Sequence, residues 1–177
     1  MSGHDIFKKC VMFVLKEEGG YSNHKKDVGG ETNHGISDMR DGVADGMTDT
    51  DGDGLPDVKI SDLQVHQASN IYWRDYWLKS RSDRLPPPIA AFVFDSAVNC
   101  GAKNASRFLQ RALNITVDGK TGPITISHAQ SSDWSATVDK MHEIRADFYR
   151  SRATFSTFGR GWLKRNDRCK TFAKELL

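Results

Sequence analysis

The chain has 177 residues, 38% of them hydrophobic and 27% charged, with a formal net charge of +2. That length suits one domain, or two lobes sharing a core that needs no disulfides. A balance so near neutral argues against nucleic-acid binding, three cysteines without a C-x-x-C pair argue against a disulfide scaffold, and no apolar run is long enough to span a bilayer.

The charge is unevenly spread. Residues 38–62 hold eight Asp against two basic residues, and residues 134–177 hold ten Lys or Arg against five acids. The basic C-terminal stretch suggests a face for anionic surfaces, with Arg160, Lys164, Arg165 and Lys170 as its members. Met1–Lys9 is polar and has no signal-peptide core, because Asp5, Lys8 and Lys9 interrupt it. Cys10, Cys100 and Cys169 read as reduced thiols, so synthesis in a cytoplasm is expected.

In chain order, residues 5–18 read as a helix, with Phe7, Cys10, Val11, Val14 and Glu18 at helical spacing and Gly19-Gly20 as its stop. Residues 20–37 read as loops and short strands punctuated by glycine. Residues 38–59 are acidic and Gly-rich, a composition for an ordered loop or insertion. A helix is expected over 61–80, capped by Ser61 or Asp62, with Leu63, Ile71, Tyr72, Tyr76 and Trp77 on its apolar face.

Pro86-Pro87-Pro88 is a stiff break and marks the expected division into regions 1–85 and 86–177, packed as one globular unit. Residues 89–99 are apolar nearly all round and read as a buried central helix. Further helices are expected over 104–114, from Ile124, over Trp134–Arg152 and over Gly161–Leu177, with a tight turn at 117–123. The fold class is therefore mainly α, with a small β or loop region near the N-terminus and two lobes around a cleft.

The chemistry concentrates where the first helix stops. Glu17 and Glu18 both lie at the edge of the apolar stripe, and periodicity does not choose between them. Asp27 follows Glu18 by nine residues on a glycine-rich loop. Two carboxylates in unlike surroundings suit general acid and base roles in cleaving a glycosidic bond, and Thr32 can orient a water. Asp49, Asp51, Asp53 and Asp57 stand at positions 1, 3, 5 and 9 of an EF-hand-like loop with Gly54 at position 6. Ile60 occupies position 12, where an acid is expected, and Asp62 is the nearest substitute. These five acids form a candidate site for structural Ca²⁺. No H-E-x-x-H is present, and no two histidines stand four apart on a helix. Asp95 and Asn99, four apart on the central helix, read as hydrogen-bonding residues, with Asn99 also a candidate glycan contact.

The stretch EGGYSNHKKDVGGETNHGIS, residues 18–37, resembles the signature of the glycoside hydrolase family 108 muramidases, a group of phage endolysins and related bacterial lysozymes. The family pattern E-G-G-Y, spacer, D-x-G-G-x-T-N-x-G-I-T is kept except at the end, where Ser37 replaces Thr. The similarity continues in 71–77 (IYWRDYW), 94–114, 117–123 (VDGKTGP) and 158–169. The stretches at 94–114 and 117–123 resemble the C-terminal peptidoglycan-binding region that accompanies the family.

The resemblance implies an α+β lysozyme-like fold and peptidoglycan as substrate, cut at the β-1,4 bond between N-acetylmuramic acid and N-acetylglucosamine. It selects Glu18 over Glu17 as the acid and matches Asp27 and Thr32 to the other two roles, with Ser37 competing with Thr32. Tyr21, His34, Ser37 and Asn99 are the candidate substrate contacts. The implied role is a monomeric endolysin, held in the host cytoplasm until a holin opens the membrane. No cofactor is expected for the chemistry. The other readings are a zinc-dependent amidase or peptidase of the same polymer and a non-catalytic, calcium-dependent wall-binding module.

Overall fold

The computed structural model describes residues 3–18, 21, 31–41, 43 and 45–177. The chain is mainly α-helical with two small antiparallel sheets, an α+β lysozyme-like fold. It divides into two compact units, Val11–Asp75 and Met1–Cys10 with Tyr76–Leu177.

In the unit Val11–Asp75, helix α1 (Gly3–Glu18) supplies its last turns. Two two-residue hairpins follow. Strand β1 (Thr32–Asn33) pairs with β2 (Ile36–Ser37), and β3 (Met47–Thr48) pairs with β4 (Val58–Lys59). The second hairpin closes the acidic loop 49–57 into an ordered tip, as its composition suggests. The expected helix over 61–80 is instead three pieces. A 3₁₀ turn spans Ile60–Asp62, α2 runs Val65–Tyr72, and a π-helical stretch covers Trp73–Leu78. The cap is not Ser61 or Asp62. Gln64 and Gln67 form a reciprocal capping box, with the Gln67 side chain accepting from the Gln64 amide at 2.9 Å. Buried residues here include Val14, Ile36, Ile60, Leu63, Ile71 and Tyr72.

The other unit is built on α3 (Pro87–Cys100), which follows Pro86 as its N-cap and buries side chains on every face from Pro88 to Ala97. A helix apolar all round has no face for solvent, so its neighbours wrap it. These are α4 (Ala102–Ala112), α6 (Trp134–Arg150) and α7 (Phe155–Lys174), with the short α5 (Pro123–Ser131) between. Phe7, Trp77 and Phe94 form an edge-to-face cluster with centroids 5.4 to 5.9 Å apart. The turn at 117–123 docks on Gln110 of α4, whose side chain donates to Asp118 and to the Lys120 carbonyl and accepts from the Gly119 amide.

One ionic group sits inside these helices. Asp95 of α3 accepts from Arg145 of α6 at 2.6 Å and from Arg165 of α7 at 2.8 and 3.0 Å. Arg145 also donates to Ser96 and to Asn166, whose own amide donates to the His142 carbonyl. Burial alone would push the Asp95 carboxyl up, but the two guanidiniums outweigh it and hold it below the usual carboxylate range.

Arg165 therefore leaves the proposed basic surface, because its charge is spent inside the protein. Lys170 also turns to a partner, pairing with Asp139 at 2.8 Å beside Lys174 at 2.6 Å. Cys10 and Cys169 are buried, and burial pushes the Cys10 thiol up to about 12, which fits unreactive core thiols.

Replacing Asp95 by Asn should cost about 3–5 kcal/mol, since it leaves two buried cations without their counter-charge. The depressed carboxyl contributes stability that is fully present above the ordinary value of about 4 and is lost as pH falls through the lower folded value. Urea unfolding at a series of pH values should therefore show the wild type weakening below about pH 4, and the Asp95→Asn variant weakened throughout with a flatter acid limb. Equal stability of the two proteins at neutral pH would refute this account.

Candidate active site

Glu18 is the last residue of α1 and is half-buried. What sits against it is the tip of the first hairpin. Thr32 faces Ser37 and Asn33 faces Ile36, so His34 and Gly35 form a two-residue turn. Their φ angles of 50° and 75° are the type I′ signature, which matches the twist of the flanking strands. The alternation of strand side chains then sorts the motif into two faces. Asn33 and Ile36 are buried, and the Asn33 amide donates to the Ile60 carbonyl at 2.9 Å. Thr32 and Ser37, both half-buried, share the opposite face.

Gly35 is required by contact as well as by conformation. A Cβ there would meet the Tyr72 hydroxyl and would lie 2.6 Å from Cγ and 2.7 Å from Cβ of Glu18. The turn thus rests on the Glu18 side chain and on Tyr72, whose hydroxyl donates to the His34 carbonyl at 3.0 Å. Tyr72 is fully buried, in keeping with a core reading of this aromatic, and it also fixes the turn.

The two hydroxyls of the outer face differ. Ser37 Oγ accepts from the Met39 amide at 3.1 Å at the start of the 3₁₀ turn Asp38–Asp41. The Thr32 hydroxyl has no hydrogen-bond partner among the described residues. Tyr21 is exposed, and its hydroxyl donates to Glu31 at 2.5 Å. These two residues flank 22–30 in the sequence. Glu31 lies inside the motif, and its pairing with Tyr21 leaves no mark in the sequence, because a tyrosine ten positions away gives no periodic signal. Asp27 lies outside the described residues.

Asn99 belongs to the other unit, near the end of α3. It is exposed, and its Oδ1 accepts from the Tyr149 hydroxyl at 2.5 Å. Its amide NH₂ has no partner among the described residues.

The acidic loop brings together three of the five proposed metal ligands. One carboxylate oxygen from each of Asp49, Asp51 and Asp53 lies within 4.8 Å of the others. Asp57 and Asp62 stay outside this group. Asp57 accepts from the Thr50 amide and hydroxyl at 2.9 and 2.7 Å, and Asp62 stands on the 3₁₀ turn after β4 and accepts from Ser61. The spacing of an EF-hand loop does not carry its geometry here, because Thr50 competes for Asp57 and β4 diverts the chain before position 12. Arg74 approaches Asp49 at 3.5 Å while donating to Asp75 at 2.9 Å.

The site thus holds one α1 carboxyl against a glycine-tight hairpin, with the Thr32 and Ser37 hydroxyls on the outer strand face. The family described as Glycosyl hydrolase 108 matches residues 11–101, and the family described as Predicted Peptidoglycan domain matches residues 104–167. The chain belongs to the glycosyl hydrolase 108 family, and it is a peptidoglycan-directed glycosidase with a peptidoglycan-binding region. It is similar to SagA of Brucella abortus, at 29% identity over 96% of this chain and 94% of that one, with a TM-score of 0.81. No curated protein matches the chain. Among the described residues no helix is long and apolar enough to cross a membrane.

Gly35→Ala should strain the turn and displace Glu18 at once, costing about 1–3 kcal/mol in stability and most of the wall-hydrolysing activity. Thermal unfolding and turbidity loss of a wall suspension measure the two effects. A fully active Gly35→Ala protein would show that the Glu18–turn contact is dispensable.

Proposed function

We propose that the chain cleaves the β-1,4 bond between N-acetylmuramic acid and N-acetylglucosamine, as a lysozyme-type endolysin that lyses a bacterial host. The observation that carries this reading is the seating of Glu18 on the His34-Gly35 turn, which gives one carboxyl a fixed, half-buried position beside the strand bearing Thr32. In this proposal Glu18 protonates the leaving glycosidic oxygen. Asp27 stabilises the positive charge developing at the anomeric carbon or helps activate water. Thr32 holds that water and is preferred to Ser37, whose oxygen already serves the Met39 amide. His34, Tyr21, Ser37 and Asn99 are proposed glycan contacts, with Asn99 offering its amide NH₂.

Glu18→Gln keeps the shape of the side chain but removes the transferable proton. It should lower the rate of wall hydrolysis by about 10²–10⁴-fold while leaving the melting temperature within a few degrees of the wild type. Mass spectrometry of digested wall should show new muramic-acid reducing ends for the wild type only. Release of free stem peptides instead, abolished by a chelator, would favour an amidase or peptidase. Full lysis by Glu18→Gln would favour a wall-binding module without glycosidase chemistry.

The proposed biology follows from this chemistry. The protein accumulates in the host cytoplasm as a monomer, passes a holin-made lesion and reaches the wall. Structural Ca²⁺ at the acidic loop is a second proposal, supported by the convergence of Asp49, Asp51 and Asp53. It holds fewer protein ligands than the sequence spacing suggests, so any affinity is expected to be modest. Added Ca²⁺ should raise the melting temperature, EDTA should reverse the rise, and Asp51→Asn should abolish it. Identical melting curves with Ca²⁺ and with EDTA would end the proposal.

A further inference from the structure

Helices α4 and α6 enclose a groove of about 620 Å³ whose lining includes Arg107, Phe108 and Arg111 from α4 and Asp147, Phe148 and Arg152 from the end of α6. That volume is in the range of sites that hold a small ligand or a short chain segment. All six residues fall in the stretch matched by the Predicted Peptidoglycan domain description.

The charge of the groove is unbalanced. Arg107 and Arg111 are one helical turn apart, a like-charge spacing that disfavours the helix they stand on. Neither has an ion-pair partner among the described residues. The acid in the groove, Asp147, pairs with Arg150 at 2.8 Å. Arg152 is held with its guanidinium 4.3 Å above the Phe148 ring, and Phe148 meets Phe108 edge-on at 5.2 Å. The groove therefore offers planar two-pronged donors beside an aromatic wall. Guanidinium forks match the two oxygens of a carboxylate, and the ring edges suit short aliphatic side chains.

We propose that this groove is a subsite for the peptide stems of peptidoglycan, in which Arg107 and Arg111 bind a stem carboxylate and Phe148, backed by the buried Phe108, contacts the neighbouring aliphatic carbons. The proposal rests on peptidoglycan being the polymer the chain acts on, and it adds the part of that polymer the second region recognises. A glycan backbone without stems keeps only the lactyl carboxylate of each muramic acid, with no aliphatic side chains beside it for the aromatic wall to meet.

The test uses the full chain carrying Glu18→Gln, so that the wall is not digested during binding. The probes are purified sacculi with intact stems, the same sacculi stripped of stems by an amidase, and phosphatidylglycerol vesicles. Arg107→Gln with Arg111→Gln should weaken binding to intact sacculi by about tenfold or more, the size expected for charge-assisted hydrogen bonds, and should reduce its salt dependence. Binding to stripped sacculi, whose lactyl carboxylates lack neighbouring aliphatic side chains, should be weaker from the start and less sensitive to the substitutions.

Arg111 is exposed, so Arg111→Glu is a second variant that leaves the core untouched, and it should lose at least as much binding. Unchanged binding of Arg111→Glu to intact sacculi, an equal loss on stripped sacculi, or a loss confined to the vesicles would each overturn the proposal. Release of reducing ends by the chain with Glu18 intact is read separately. Tight, stem-dependent binding without such release would sink the muramidase reading and leave the groove standing.

Discussion

The larger unit depends on one buried carboxylate. Asp95 sits in α3 and binds a guanidinium from α6 and another from α7, residues 50 and 70 positions further along the chain. Buried charges are tolerated when they are paired and hydrogen-bonded. Two arginines aimed at one acid therefore permit few packings of three helices. Apolar contacts around Ile89, Phe92 and Met141 supply cohesion, but cohesion alone is non-directional. The ionic group restricts which helix faces meet, and Ser96 and Asn166 satisfy part of what remains.

The smaller unit solves a different problem, which is to hold the Glu18 carboxyl still. α1 ends at Glu18, and a helix end is free to fray. Here the His34-Gly35 turn lies on the Glu18 side chain, Tyr72 ties that turn to α2, and Asn33 ties the hairpin to the Ile60 turn. Each restraint comes from a different stretch of sequence. A missing Cβ at Gly35 is what lets them converge, so the glycine in the motif serves both turn conformation and close approach.

The two family regions use charge in opposite ways. The acidic loop gathers Asp49, Asp51 and Asp53, with Arg74 beside Asp49 as a local counter-charge. The basic C-terminal half spends Arg145 and Arg165 internally and pairs Lys170 and Lys174 with Asp139. Arg160 and Lys164 of α7 stay exposed, and Arg107 and Arg111 of α4 line the groove beside α6. The folded distribution reduces the anion-facing surface expected on α7 to Arg160 and Lys164 and adds the groove between α4 and α6.

By itself, the sequence was sufficient for the elements with a local signature. The all-round apolar run at 89–99 reads as a buried helix, and the motif at 18–37 carries both the glycine turns and the family resemblance that selects Glu18. Local spacing could not show that Gly35 touches Glu18, that Thr50 takes Asp57 from the acidic cluster, or that Arg165 points inward to Asp95. Those facts pair residues far apart along the chain, and periodicity carries no information about such pairs. Only tertiary packing decides which polar groups meet, because buried charges and most buried hydrogen-bonding groups need a partner that the intervening chain happens to bring there.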